Sequence, residues 1–121
     1  MEESYKSKYE ELEERTYTFA RDCRSLVSKI PKLPQNYEDG SQLIRSSGSV
    51  PANYIEANES ISPKDFSHRL KICRKESKES RLWLRLFFID SSELEAERKR
   101  LINEALELAK IFGSIIIKCK Q

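Results

Sequence analysis

The stretch SPKDFSHRLKICRKESKESRLWLRLFF, residues 62–88, decides the fold class. It opens on Ser62-Pro63-Lys64-Asp65, a helix start: the serine accepts a hydrogen bond from the first turn, the proline sits where a helix has no N–H to lose, and Asp65 faces the positive end of the dipole. Behind it Phe66, Leu70, Cys73, Leu84, Phe87 and Phe88 recur at helical spacing, with Ser77 and Ser80 as small residues that permit close helix approach. Helix three is therefore expected to run to about Phe88.

Working outward, Ser92-Glu93-Leu94-Glu95 matches a capping box, and Leu94, Leu101, Ala105, Leu108, Phe112 and Ile115 continue at helical spacing. Helix four is placed at Glu93 to Lys118. Upstream, Asn36 to Glu59 keeps a helical rhythm through Tyr37, Ile44, Ile55 and the Ala52/Ala57 pair despite Gly40, Gly48 and Pro51. A helix bent near Pro51 is expected there, with Ser46, Ser47 and Ser49 supplying local hydrogen bonds where the proline leaves the Ser47 carbonyl without a donor. At the start of the chain Tyr5, Tyr9, Leu12, Thr16, Phe19, Cys23, Leu26 and Ile30 form one apolar seam, ending near Lys29 because Pro31 and Pro34 cannot continue it. Pro31 to Gln35 reads as a tight connection. Four long helices with short connections imply antiparallel neighbours, so the expected fold is all-α, an antiparallel up-down-up-down four-helix bundle forming a single domain over residues 1–121.

Composition agrees with that fold and excludes several functions. Charged residues make up 35% of the 121, against only 3 Gly and 4 Pro, which favours solvated helices over a turn-rich β fold. The cysteines Cys23, Cys73 and Cys119 are odd in number, far apart and without a C-x-x-C pair, so they read as small buried hydrophobes rather than disulfides or metal ligands. With no basic leader before an apolar stretch and no apolar run long enough to span a bilayer, a soluble cytoplasmic protein is expected. The single histidine, His68, has no partner at ligand spacing, and the Glu76/Glu79 pair lacks the Glu-x-x-His motifs of a di-iron bundle. Phosphate-binding loops and serine-nucleophile elbows are also missing from the sequence, so no cofactor, metal, small-molecule substrate or catalytic activity is expected.

The charge is local. Lys64 through Arg85 holds eight basic residues against three acidic, a net of +5, whereas the whole chain sums to +2 and its remainder to −3. At about 100° per residue Lys64, Lys71, Arg74, Lys75, Lys78, Arg81 and Arg85 fall within an arc of roughly 120°. Such a stripe can hold phosphates of an RNA or DNA backbone. Alternatively it is a solvated face whose cations pair with Glu10, Glu11, Glu13 and Glu14 of helix one. A third sector carries Ile72, Trp83 and Leu86, a second apolar patch that suggests subunit contact, or else a widened core face.

Leu43 to Ala57, with the run IRSSGSVPANYIEA at residues 44–57, together with Phe66 to Ile72 and Lys75 to Leu84, resembles the bacterial four-helix bundle proteins known as 23S ribosomal RNA intervening-sequence proteins. The resemblance extends from about Leu12 through Phe19-Ala20 and Ile30-Pro31-Lys32 to Ser114-Ile115-Ile116-Ile117. It implies a ring-shaped homopentamer with no established biochemical activity. The family pattern falls on Arg45, Ser49, Asn53, Glu56 and Ala57 and on Phe66, Leu70, Glu76, Glu79, Trp83 and Leu84, while Cys73 stands where the family has alanine. Arg45, Asn53, Glu56, Glu76 and Glu79 read as a structural polar network, since polar groups near buried faces need partners such as Arg15, Arg45 or Arg69. Two functions follow as expectations: a homo-oligomer binding nucleic-acid backbone through helix three, or a protein-interaction scaffold with a polypeptide partner.

Overall fold

The computed structural model describes residues 7–120, and Tyr5 of the helix-one seam lies outside them. Four helices account for most of that span: α1 (Lys8–Lys29), α2 (Pro34–Asn58), α3 (Pro63–Leu86) and α4 (Ser92–Cys119). Ser7 caps α1, accepting from the Glu10 N–H while the Glu10 carboxylate accepts from the Ser7 N–H at 3.0 Å. This reciprocal pair satisfies two backbone donors that the first turn would otherwise leave free. Ser62 and Ser91 cap α3 and α4 by the same serine-to-backbone bond.

Several boundaries differ from the sequence expectation for local reasons. Pro34 opens α2 rather than lengthening the connection, because a proline at the first helical position gives up only an N–H that has no intrahelical partner. Ser91, not Ser92, caps α4, which places Leu94 rather than Glu95 at the third position and removes the expected capping box. Helix α3 stops at Leu86, and Phe88 stands 51% exposed outside the core to which its spacing assigned it. Its backbone instead exchanges two hydrogen bonds with Asn36. Helix α2 runs through Pro51 unbroken. Ser46 does not serve the Ser47 carbonyl but reaches across to Ser80, 2.8 Å between the hydroxyls, while the Asn53 amide donates to Ser49 at 2.9 Å.

Cross-helix contacts fix the directions. Arg45 meets Glu76 and Asn53 meets Arg69, so α2 and α3 run oppositely; Arg15 meets Glu104 and Asp22 meets Arg100, so α1 and α4 do too. Helices α3 and α4 run oppositely as well, since Arg98 donates to the carbonyls of Leu84 and Phe87 while Arg74 lies over Gly113. At the α1/α2 crossing, a Cβ at Gly40 would come within 2.9 Å of Val27 Cγ1. A branched side chain cannot swing away, so this close approach requires glycine. The core is one cluster running from Phe19, Leu26 and Leu43 through Leu70 and Leu84 to Leu101, Leu108 and Phe112, with the Tyr54 and Phe112 rings 5.8 Å apart. Around the ring of helices the packed neighbours are α1/α2, α2/α3, α3/α4 and α4/α1, and α1 lies diagonally from α3 without contact among the described residues.

Candidate nucleic-acid interface

That diagonal placement decides the electrostatics of the basic face. Lys64, Lys71, Arg74, Lys75, Lys78 and Arg85 are all exposed, and none takes part in an ion pair among the described residues. The acidic cluster of α1 cannot neutralise them, because the full width of the core separates the two helices. The interhelical ion pairs among the described residues lie elsewhere, joining α1 to α4 through Arg15–Glu104 at 2.7 Å and Asp22–Arg100 at 2.8 Å, and α2 to α3 through Arg45. Lys71, Arg74, Lys75 and Lys78 line one shallow depression of about 260 Å³.

Arg81 departs from the stripe. It is half-buried, and its Nε is shielded from solvent without a hydrogen-bond partner. Eleven residues beyond buried Leu70, it comes round the helix to within about 20° of that leucine, so its stem enters the seam while its cationic neighbours point outward.

The apolar third sector is also divided. Trp83 packs against the core cluster and its indole N–H donates to the Glu79 carboxylate at 3.1 Å, while Ile72 is half-buried and Leu86 stands 52% exposed. Of the polar group, Arg45 bonds Glu76 at 3.4 Å and also pairs with Glu79, whose hydrogen bond holds the guanidinium above its ordinary pKa. Glu76 is only 6% exposed, so Arg45 supplies the partner that a buried carboxylate requires. Asn53 accepts from Arg69 at 3.0 Å. Glu56 stands apart: its side chain is exposed, and only its backbone carbonyl accepts hydrogen bonds. About three turns of α2 from the Arg45 level, it faces solvent and makes no ion pair among the described residues.

Two residues not singled out from the sequence hold the bundle end. Asn36, 2% exposed, donates to the carbonyls of Pro31 and Phe88 and accepts from the Phe88 N–H, joining two connections distant in sequence. An asparagine two residues after Pro34, in the first turn of a helix, gives no local signal of a partner 52 residues away. Arg98 closes the C-terminal end of α3 by binding its last carbonyls. Cys23 and Cys73 are buried, and burial pushes both thiols up to about 12, whereas Cys119 is exposed rather than a core hydrophobe. Among the described residues no group of three or more His, Cys, Asp or Glu is arranged to hold a metal ion, and no helix is long and apolar enough to cross a membrane.

Fold and charge pattern together define a small helical bundle with a row of six exposed cations along one helix. Residues 8–114 match the family model described as 23S rRNA-intervening sequence protein, and the chain belongs to that family. A similar solved structure is a protein of unknown function from the S23 ribosomal protein family of Bacteroides thetaiotaomicron VPI-5482, 27% identical, with a TM-score of 0.75 over 87% of this chain and 97% of the other. Among curated proteins none matches the chain.

Proposed function

We propose that this protein is a non-catalytic cytoplasmic homo-oligomer that binds RNA or DNA backbone through the exposed face of α3, without strong sequence preference. The observation that carries the reading is the set of six exposed α3 cations, without an ion pair among the described residues and diagonal to the helix that carries the glutamate cluster. Unneutralised cations at turn-like intervals suit a polyanion, which releases its counterions on binding. Aromatic side chains do not interleave with them, which argues for backbone contact over base-specific stacking. The family resemblance supports a pentamer, and a ring would multiply a modest stripe into a multivalent surface.

Light-scattering mass on the purified protein, repeated with a structured RNA at low and high salt, tests both parts. The expected result is a mass of about five subunits that rises with RNA only at low salt. An oligomer indifferent to RNA at every salt concentration would overturn nucleic-acid binding and favour a scaffold for another polypeptide. Reversing Lys71, Lys78 and Arg85 to Glu should abolish RNA retention while the helical circular-dichroism spectrum persists.

A further inference from the structure

Between α3 and α4 lies a groove of about 500 Å³ whose composition differs from the rest of the basic face. Arg74 and Lys78 of α3 form one wall, and Lys110 of α4 stands on the other, held only loosely by Glu107 at 3.8 Å with both side chains solvated. The floor is Ala109 and Gly113, one turn apart, and the apolar rim is Leu106 and Ile117, 37% and 61% exposed. Leu106, Ala109, Gly113 and Ile117 follow helical spacing, so α4 carries a second apolar stripe beside the one it buries. Small residues keep that stripe low. A Cβ at Gly113 would lie 3.9 Å from Arg74 Nε, in ordinary contact, so Arg74 reaches the glycine and there is still room for a side chain there.

We infer that this groove receives unstacked bases of a single-stranded nucleic acid whose phosphates lie on the flanking cations, an inference that rests on the nucleic-acid reading of the α3 face. A duplex keeps its bases stacked inside and presents phosphates and sugars to a protein surface, so it gains from the cations but not from an apolar trough. A single strand turns its bases outward, and here it meets aliphatic surface together with a guanidinium plane on which a base can stack. The groove favours a nucleic acid over an acidic polypeptide, because carboxylate side chains match the cations but offer no flat face to the apolar trough or the guanidinium plane. Lys71, Arg74, Lys75 and Lys78 repeat at three- and four-residue intervals along α3, about 5–6 Å apart, suiting a chain that carries a charge on every unit.

Gly113→Leu is the informative variant, because it fills the trough while replacing glycine by a strong helix former and so does not lower the melting temperature through helix propensity. Fluorescence anisotropy at low salt would compare an oligouridylate of about 20 nucleotides, longer than one protomer's site, with an RNA duplex of equal length, using sodium polyglutamate as the competing polypeptide. The wild type should bind the single strand about tenfold more tightly than the duplex, and Gly113→Leu should lose that tenfold, roughly 1.4 kcal/mol, with duplex affinity and melting temperature retained. Equal affinity for both RNAs, an unaffected Gly113→Leu, or polyglutamate competing as well as the single strand itself at equal charge would each overturn the groove assignment. Binding of neither RNA at low salt would remove the underlying reading as well, so the two failures are distinguishable.

Discussion

Neutralising Lys71, Lys75 and Lys78 to Gln should halve the salt dependence of RNA binding, and the size of that change can be worked from the geometry. Lys64 to Arg85 covers most of α3, about 30 Å at 1.5 Å per residue, and a flexible oligouridylate of about 20 nucleotides carries one charge per nucleotide, more than α3 has exposed cations. Phosphates are therefore in excess, and the contacts per protomer are limited by the six exposed, unpaired cations. Each neutralised phosphate contributes about −0.7 to the slope of log affinity against log salt for a single strand, giving about −4 for the intact stripe and about −2 with three cations left. Between 50 and 200 mM salt, affinity would then fall about 300-fold for the wild type and only about 20-fold for the variant. The assay is a titration of fluorescent oligouridylate at five or six salt concentrations, with circular dichroism to verify the helices. Because all three lysines are exposed and unpaired, their loss should leave the fold intact. A variant slope equal to that of the wild type would refute the argument, since the phosphates would then be held by other groups.

Two further expectations follow from the structure. Leu86→Glu, at an exposed position, and Trp83→Glu, at the flank of the core, should both lower the light-scattering mass if this sector forms the subunit contact, with Leu86→Glu retaining its helical spectrum; an unchanged mass for Leu86→Glu would remove the residue from the interface. A thiol reagent at pH 8 should label Cys119 rapidly and leave Cys23 and Cys73 until the protein is unfolded in guanidinium, because thiolates react and burial holds those two thiols up near about 12. The corresponding linkage has a definite sign: the unfolded thiols ionise from about pH 8.5 while the folded ones do not, so stability is fully present below that pH and declines as pH rises above it. Equal labelling of three thiols in the native protein would contradict the burial.

Helical spacing and cap chemistry determined the four helices, their order and most of the core, because both are local: a seam such as Phe19, Cys23 and Leu26 is buried whatever it packs against. The cationic arc was legible for the same reason. Sequence could not say whether α1 would neutralise it, since the same four amphipathic helices can be arranged with α1 beside α3 or diagonal to it, and only packing around the shared core makes the choice. Glu56 shows the limit from the other side, polar and at helical spacing yet facing solvent, whereas Glu76 is buried beside Arg45. The Asn36 bridge and the α3/α4 groove arise where residues remote along the chain converge, Phe88 on Asn36 and Gly113 beneath Arg74. Periodicity assigns each residue to a face of its own helix; the neighbour that face meets is fixed only by the tertiary structure.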